Sequence, residues 1–377
     1  MIMQGTIKKL YVSGFKSIRE LKDFELRPLN IFIGANGAGK SNLVQLFRML
    51  MAMAGRHFQK FILENGGADN FLHNGPKHTE TINLALEFIS HSSYSEGSNF
   101  YRCVLTPTVD DIFLIEEDRK YKDSNWNSYG SASTESRLYE KSDESSMIGT
   151  GFGIGYYVYN AISNWMVYHF HDTSPASPMR RSEIIEDNFR LRHNGSNLAP
   201  FLLSLKNTSF SSYDEIVNAI RLVLPFFDDF ILDVFKYGEA EKVRLSWRQK
   251  GSDFPMQPYH LSDGSIRFIC LATALLQPNP PSTIIIDEPE LGLHPEAIRM
   301  LGELMQDAAK RAQLIVATQS PLLLDQFAVE DIVVVRREGG QSVFSRLQRD
   351  DFAEWLEEYS VGDLWMRNII QGGSSHE

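Results

Sequence analysis

Short, continuous apolar runs in the second half of the chain predict buried strands. The segment STIIIDEPE contains the run 283–286, and RAQLIVATQSP contains LIVAT directly before Gln319. Such runs, rich in β-branched residues, are typical of parallel strands buried on both faces. Ser320 and Pro321 then form a good start for a helix. Gln319 is therefore predicted to lie at the carboxyl end of a strand, where ligands bind in open α/β sheets.

Other stretches alternate between apolar and polar positions. Residues 79–118 do so in TINLALEF, FYRCVLTP and DIFLIEED, which predicts a small antiparallel β lobe. The segment DIVVVRREGGQSVFSRL predicts a hairpin around Gly339 and Gly340. Residues 119–150 are rich in Ser, Asn, Asp, Glu and Lys, so we predict a mobile loop there.

Helical spacing appears in three further segments. Residues 182–225, with SEIIEDNFRL, LAPFLLSLKN and DEIVNAIRLVL, predict a small helical subdomain. Pro295 is expected to begin a helix with one apolar face. The segment DDFAEWLEEYSVGDLW predicts a helix that either docks on the sheet, which we favour, or presents a partner-binding face. We find no sustained heptads of the kind that form a coiled coil.

Composition fits an ordinary soluble globular protein. The chain has 377 residues, 43% of them hydrophobic and 23% charged, which is enough apolar mass for a sizeable core. No stretch approaches about 18 consecutive apolar residues, and the N-terminal segment lacks the apolar centre of a signal peptide. We therefore predict a cytoplasmic protein without a membrane segment. Cys103 and Cys270 lack ligand-like spacing and are expected to be buried free thiols.

The charge balance argues against a surface that attracts nucleic acid as a whole. Lys and Arg number 37 against 48 Asp and Glu, a formal net charge of -11. Direct DNA binding is left open, but the net charge does not support it. Small basic clusters are read as solvated surface, with a local basic groove as the alternative. They are Arg180 with Arg181, Arg190 with Arg192, and Arg336 with Arg337.

The most specific motif is a glycine-rich phosphate loop. In LNIFIGANGAGKSNLVQLFRML, a strand at 30–33 precedes the full pattern G-x-x-x-x-G-K-[ST], and a helix follows. The glycines let backbone N–H groups face phosphate oxygens, and the start of the helix adds a favourable dipole. Lys40 can reach the β- and γ-phosphates, and Ser41 can bind Mg²⁺. The expected nucleotide-binding residues are Gly34, Asn36, Gly37, Ala38, Gly39, Lys40, Ser41 and Asn42. The glycine run that starts at Gly149 lacks this context and is read as a flexible connection.

Two further motifs accompany the phosphate loop. The predicted strand 283–286 ends in Asp287 and Glu288, of which one carboxylate can join the Mg²⁺ shell and the other can deprotonate a water. About two dozen residues earlier, LSDG precedes a strongly apolar helix. Ser262 is a natural N-cap of that helix, and the turn forms a second helix start able to bind phosphate.

The order of phosphate loop, LSDG and acidic pair resembles that of ATP-binding-cassette ATPases. LYVSGFKSI, LSDG and EPELGLHP resemble the RecF, SMC and OLD-type members. VYHFHDTSP, DNFRLRHNGSNLAPFLLSL and VGDLWMRNII resemble a narrower set of stand-alone bacterial ATPases of the predicted AAA type.

The resemblance implies an α/β fold, an ATP-binding-cassette head of the P-loop type. It has a parallel-sheet core, an antiparallel β lobe and a helical subdomain, and here no coiled-coil arm, because Lys40 and Ser262 are too close in sequence. Our predicted divisions of this single head (1–377) are 1–118 for the first half-cassette, 119–150 for a flexible insertion, 151–260 for a strand and helical subdomain, 261–348 for the second half-cassette, and 349–377 for a C-terminal helix and tail.

The resemblance also implies roles for the motif residues. Such heads form homodimers with two ATP molecules sandwiched between them. Ser262, Asp263 and Gly264 would meet the ATP of the partner, and residues 291–294 would line the dimer seam. Glu288 would be the general base, Lys40 would be a catalytic residue at the phosphates, and Asp287 would join Ser41 at Mg²⁺.

The chain departs from this family at Gln319, where a histidine usually contacts the γ-phosphate. Glutamine can donate a hydrogen bond to a phosphate oxygen but cannot become cationic, so we predict slow hydrolysis. The transporter lid glutamine is also replaced. VYHFHDT fits its place, which would put His171 or Asp172 near Mg²⁺; the alternative is that His169 and His171 simply alternate along a strand.

Three functions remain open. The first is an ATP-gated switch in DNA repair or phage defence that controls a separate effector, for instance a Toprim-type nuclease. The second is a nucleotide-binding scaffold without significant hydrolysis. The third, a transporter ATPase subunit, is disfavoured because its LSGGQ signature, lid glutamine and switch histidine are absent or altered.

Overall fold

The computed structural model describes residues 5–92, 95–145 and 152–370. The strands are β1 (Ile7–Phe15), β2 (Ile18–Glu25), β3 (Leu29–Ile33), β4 (Ile82–Ser92), β5 (Ser95–Pro107), β6 (Phe113–Tyr121), β7 (Asn127–Ser133), β8 (Trp165–Tyr168), β9 (Glu183–Ile184), β10 (Phe227–Ile231), β11 (Val234–Tyr237), β12 (Ala240–Val243), β13 (Ser246–Gln249), β14 (Pro255–Met256), β15 (Thr283–Asp287), β16 (Gln313–Thr318), β17 (Ile332–Glu338) and β18 (Gln341–Arg346). The α-helices are α1 (Lys40–Ala54), α2 (Phe58–Glu64), α3 (Ile154–Ser163), α4 (Leu198–Thr208), α5 (Phe210–Val223), α6 (Asp263–Leu276), α7 (Pro295–Ala308), α8 (Pro321–Leu324) and α9 (Val361–Met366).

A six-stranded sheet forms the centre of the molecule, in the order β18-β17-β3-β16-β15-β8. All neighbours pair in parallel except β17 and β18, which form the predicted hairpin. Residues alternate between the two faces, as the period of a strand requires. On β15, Ile284 and Ile286 join a core packed against α4 to α7, while Ile285 joins a second core built from α1 to α3 and the β lobe. The phosphate-loop strand β3 lies in the middle of this sheet.

The antiparallel β lobe is a second sheet of six strands, in the order β2-β1-β4-β5-β6-β7. The three predicted strands correspond to β4, β5 and β6, which pair in consecutive hairpins. The prediction of a mobile loop at 119–150 is wrong over most of its length. Strand β6 continues to Tyr121, and β7 pairs with it. The polar sequence of β7, NSYGSAS, hid this strand, because it is held by backbone pairing at a sheet edge. Residues 146–150 of that prediction lie outside the described residues.

Two small sheets and the helices α3, α4 and α5 lie in the part predicted as a strand and helical subdomain, residues 151–260. Helices α4 and α5 are present as expected, but residues 182–197 are not helical: they contain the short strand β9 and turns. Strand β9 pairs with β12, and β10, β13 and β14 form the other small sheet. These strands are two to five residues long and were not predicted. Strand β8 belongs to the central sheet instead.

The predicted C-terminal helix is broken. Arg349–Phe352 and Trp355–Glu357 are single 3₁₀ turns, and only α9 is α-helical. Within the described ranges α1 is the longest helix, with 15 residues, so that part of the chain holds no coiled-coil arm. No helix there is both long and apolar enough to span a membrane. Cys103 and Cys270 are buried free thiols, as predicted.

Candidate functional site

The phosphate loop connects β3 to α1, and two of its glycine positions leave no room for a side chain. Gly39 has φ +116°, and a Cβ at this position would lie 2.0 Å from Ser342 Oγ. A Cβ at Gly34 would lie 2.1 Å from the carbonyl oxygen of Val335. Gly37 also has positive φ but is exposed, with open space around it. Conformation and close packing thus require glycine at Gly34 and Gly39.

Lys40 is buried at the start of α1. Its Nζ donates hydrogen bonds to the carbonyl oxygens of Gly34 and Ala35, so the ammonium points into its own loop. Burial lowers the pKa of Lys40, while the carboxylates of Glu288, Asp287 and Glu290 act in the opposite direction. These effects place the lysine and the acidic strand end in one electrostatic environment.

Two serines stabilise the phosphate loop through hydrogen bonds. Ser342 on β18 is buried, and its Oγ donates to the carbonyl oxygen of Ala38 at 2.5 Å and bonds Ser17 Oγ at 2.7 Å. Ser17 lies in the turn between β1 and β2, and Asn42 Nδ2 donates to its Oγ at 2.6 Å. Both hairpins thereby contact the phosphate loop. Sequence reasoning missed Ser17 and Ser342, which lie 325 positions apart.

Asp287 ends β15 and is partly buried. Its Oδ1 is buried without a hydrogen-bond partner from the protein. Burial and then the charge of Glu288 raise the pKa of Asp287, while its interaction with the Ser41 side chain lowers it. A carboxylate with one buried, unpartnered oxygen, next to a serine side chain, fits the oxygen ligands preferred by Mg²⁺. No group of three or more His, Cys, Asp and Glu side chains that could hold a metal occurs in the described ranges.

Glu288 adopts a left-handed conformation, with φ +46°. Its N–H still donates to the carbonyl oxygen of Ala317 at 2.7 Å, so the strand pairing extends to this residue. The left-handed turn therefore occurs immediately at the end of the paired strand. A bulky residue with positive φ is uncommon and is concentrated at functional sites.

Gln319 faces Glu288 directly. The amide Nε2 of Gln319 donates to Glu288 Oε1 at 2.5 Å. The amide at the end of β16 therefore contacts the carboxylate that directly follows the neighbouring strand β15.

Glu290 fixes the position of Gln319 and was missed by sequence reasoning. Its Oε1 accepts from Thr318 Oγ1 at 2.6 Å and from the backbone N–H of Gln319 at 3.0 Å. Burial raises the pKa of Glu290, while Thr318 and the Gln319 N–H act in the opposite direction. Its Oε2 is buried without a partner. The only signal in the sequence was its spacing, two residues after Glu288.

The LSDG turn begins α6 as predicted. Ser262 is the N-cap, and its Oγ accepts from the N–H of Ser265 at 3.1 Å. A Cβ at Gly264 would lie 2.3 Å from the carbonyl oxygen of Gly292, so the turn packs tightly on the loop after the acidic pair. Asp263 pairs with Arg180 at 3.0 Å. Within the described ranges, no hydrogen bond links this turn to the phosphate loop of the same chain.

Two arginines hold the loops around this turn. Arg267 on α6 is buried, and its guanidinium donates to the carbonyl oxygens of Phe170 and His171 at 2.9 and 3.1 Å, and to that of Leu291. Arg180 was predicted to be solvated surface, and this is wrong, because only 6% of its side chain is exposed. Neither residue stood out in sequence, since their partners are distant in the chain.

The loop after β8 carries the predicted lid residues. Strand β8 ends at Tyr168, so His169 and His171 do not alternate along it; their rings lie 4.1 Å apart in the loop. His171 Nε2 lies 3.0 Å from the carbonyl oxygen of Asp287, whereas Asp172 is exposed and accepts from the N–H of Ser174. Of the two candidates, His171 is thus the one in contact with the acidic strand end.

Burial and the nearby Arg48 affect His169 in this loop. Burial, followed by the charges of His171 and Arg48, lowers the pKa of His169 to about 4. Arg48 on α1 is partly buried and interacts electrostatically with Asp287. Arg48 therefore brings a positive charge to the side of the site next to β8.

Comparison with known proteins places this site in a family. Residues 29–325 match the family described as AAA domain, putative AbiEii toxin, type IV TA system. The chain belongs to this AAA domain family. It is also 22% identical over 367 residues to a protein named OLD nuclease from Thermus scotoductus, with 92% of this chain and 65% of that protein covered. The chain thus spans 65% of the length of this curated relative.

Solved structures share the fold. An Smc head bound to the C-winged helix domain of ScpA is 15% identical, with 92% of this chain and 99% of that chain covered and a TM-score of 0.60. An Smc head with an extended coiled coil, bound to the C-terminal domain of ScpA derived from Pyrococcus furiosus, is 14% identical, with coverages of 93% and 98% and a TM-score of 0.55. The resemblance to RecF, SMC and OLD-like AAA ATPases and the predicted fold class are confirmed.

Proposed function

We propose that this AAA-family protein is a slow, ATP-hydrolysing switch that closes as a homodimer around two ATP molecules and controls a separate effector. The observation that carries the proposal is the convergence of Lys40, Asp287, Glu288 and Gln319 at one edge of the central sheet. They are provided by three elements, the phosphate loop and the ends of β15 and β16, which is what nucleotide hydrolysis at a P-loop requires.

ATP binding is assigned to the phosphate loop. The backbone N–H groups of 34–42 and the start of α1 surround the phosphates, and Lys40 turns from its loop carbonyls to the β- and γ-phosphates. Ser41 and Asp287 hold Mg²⁺, partly through water. When bound, Mg²⁺ neutralises phosphate charge that develops during transfer.

Hydrolysis is assigned to Glu288 as the general base. Its carboxylate takes the proton of the attacking water, and Gln319 keeps that carboxylate in place by donating to one of its oxygens. Gln319 is neutral, so it stabilises negative charge in the transition state less than a protonated histidine would. This supports slow turnover.

The LSDG turn, which we also call the signature turn, is proposed to act between two copies of the chain. Ser262, Asp263 and Gly264 form a capped helix start that is not bonded to its own phosphate loop, and a partner's γ-phosphate is the ligand for which this start is suited. Residues 291–294 would lie at the dimer seam, consistent with the 46% exposure of Leu291.

The effector is proposed to be a separate protein. The curated relative is named a nuclease, and we propose a partner such as a Toprim-type nuclease for the nucleic-acid chemistry. Phage defence or DNA repair is the proposed setting, and the cytoplasm the proposed location. The formal net charge of -11 favours a protein partner over direct DNA contact.

The test uses tagged Glu288→Gln, which is expected to bind ATP without hydrolysing it. The protein is purified from its native cell with Mg-ATP, and its mass is compared with that of an ATP-free sample and of Lys40→Ala. In Glu288→Gln with ATP, we expect a complex whose mass is at least that of two 42.9 kDa chains. Without ATP, or with Lys40→Ala, we expect the mass of one chain. A mass above that of the dimer is expected where the effector is bound. A monomer in all samples contradicts the dimer.

The non-hydrolysing scaffold is the second candidate, and the bond between Gln319 and Glu288 favours it, because it occupies one oxygen of the base. Steady-state ATPase measurements separate the two. Turnover by the wild type that is lost in Glu288→Gln supports the switch, and absence of turnover in both supports the scaffold.

A further inference from the structure

Arg180 is a buried arginine that lies between the LSDG turn and the loop after β8. We call that loop, which contains His171 and Asp172, the lid loop. Arg180 ends the short 3₁₀ turn Pro178–Arg180, which follows the lid loop. Only 6% of its side chain is exposed, in contrast to the neighbouring Arg181, which is exposed and donates to the carbonyl oxygen of Ala176. An arginine is rarely buried to this degree unless its guanidinium is paired.

Its guanidinium bonds two separate parts of the chain, the loop after β8 and residues 258–263. Nε donates to the carbonyl oxygen of Thr173 at 3.0 Å, in the lid loop. Nη1 donates to the carbonyl oxygens of Pro258 and Leu261, the latter at 3.1 Å, directly before Ser262. Nη2 donates to Asp263 Oδ1 at 3.0 Å, directly after Ser262. Arg180 therefore holds both sides of the signature turn and fixes its orientation.

Asp263 poses an electrostatic problem for a phosphate-binding turn. It is the first residue of α6, beside the backbone N–H groups that a phosphate would use. A carboxylate at this position repels a phosphate, and its side chain is 69% exposed, so burial does not remove its charge. Within the described ranges, its one ion pair is the bond to Arg180.

We propose that Arg180 is a positioning residue that neutralises Asp263 and orients the LSDG turn, so that the start of α6 can accept the γ-phosphate of ATP bound to a second copy of the chain. This inference rests on the proposed ATP-dependent dimer. It explains how a signature with aspartate at its third position remains compatible with an anionic ligand: the opposite charge is supplied from the segment after the lid loop.

The experiment is a double-mutant cycle in the Glu288→Gln background. The ATP concentration at half-maximal dimerisation is measured by mass for the parent, Arg180→Gln, Asp263→Asn and the double variant. Arg180→Gln is expected to raise that concentration roughly tenfold or more. With Asp263→Asn already present, the same change should cost about threefold or less, because no carboxylate is left to neutralise.

The controls separate charge from folding and from the dimer itself. Arg181→Gln should leave dimerisation unchanged, and thermal unfolding checks that every variant is folded. If Arg180→Gln does not fold, the test rests on Arg180→Lys, which keeps the charge and should cost at most about threefold.

Two results overturn the inference while leaving the dimer intact. One is an ATP concentration at half-maximal dimerisation that is the same in Arg180→Gln as in the parent. The other is a loss from Arg180→Gln that is equal in the presence and absence of Asp263, or a loss of about tenfold in a folded Arg180→Lys; either would mean that Arg180 only supports the local fold. A parent that does not dimerise with ATP contradicts the proposed function as well, and is recognised before the variants are compared.

Discussion

At the residue scale, the end of β16 explains how a neutral amide can occupy a place next to the proposed base. Gln319 is held at two points: its backbone by Glu290 and its side chain by Glu288. The amide is therefore oriented before any nucleotide binds. A pre-oriented donor lowers the reorganisation needed in the reaction, although its neutral charge limits the gain.

Replacing the amide by imidazole tests this account. Gln319→His should raise the ATPase kcat about threefold to tenfold, because a charged hydrogen bond stabilises a phosphate oxygen by about 1 kcal/mol more than a neutral one. The measurement is steady-state phosphate release under saturating Mg-ATP. Glu288→Gln combined with Gln319→His should stay inactive, which controls for contaminating ATPases. An unchanged kcat in Gln319→His would show that charge at this position does not limit turnover.

The residues that sequence could identify are those whose chemistry is contained in a local motif. The phosphate loop, the acidic pair and the Ser262 cap were placed on the correct strand ends and helix starts. Glu290, Arg180 and Arg267 were not, because a buried polar residue shows its function only through partners that folding brings together.

At the element scale, the phosphate loop is held in place by hydrogen bonds to two hairpins. The turn between β1 and β2 provides Ser17, and β18 provides Ser342, whose N–H also donates to the carbonyl oxygen of Ser17 at 2.7 Å. Both hairpins belong to different sheets. The loop conformation therefore depends on elements at opposite ends of the sequence.

Removal of the β18 hydroxyl should loosen the loop. Ser342→Ala loses the bonds to Ala38 and Ser17, and we expect ATP affinity to fall about threefold to tenfold, the loss expected for about 1 kcal/mol of hydrogen bonding. Titration with a fluorescent ATP analogue measures this. Ser345→Ala on the same strand is the matched control and should bind like the wild type. Equal affinity for both variants would contradict the bracing role.

The elements that sequence predicted correctly are those with strong local periodicity or local motifs. Strands β15 and β16, the hairpin β17–β18 and helix α7 were found because burial on fixed faces imposes a pattern. The polar strand β7 and the strands of the small sheets were missed because pairing with a neighbour holds them. The helix predicted over DDFAEWLEEYSVGDLW is divided into 3₁₀ turns and α9, because helical spacing is only a weak guide that tertiary structure overrides.

At the scale of the whole molecule, the central sheet separates two cores and gathers the motifs at one edge. The phosphate-loop helix packs on one face with the β lobe, and the signature helix α6 packs on the other face. The order of motifs along the chain predicted the cassette fold. The bonds between α6 and the loops after β8 and β15 could not be predicted, since they run through side chains such as Arg267.

Arg267 provides such a connection, and its removal gives the last prediction. It bonds the carbonyl oxygens of Phe170, His171 and Leu291, so it ties α6 to the loops after β8 and β15. Arg267→Met should lower the free energy of unfolding by about 2–4 kcal/mol, because it leaves carbonyl groups without donors in a buried setting. Urea denaturation measures this loss. Arg299→Met, at an exposed position of α7, is the control and should stay within about 0.5 kcal/mol of the wild type. A loss in Arg267→Met no larger than that of the control would mean that the loops are held independently of α6. A large loss, together with a drop in kcat for the protein that remains folded, would show that α6 and the acidic strand end are coupled through this one side chain.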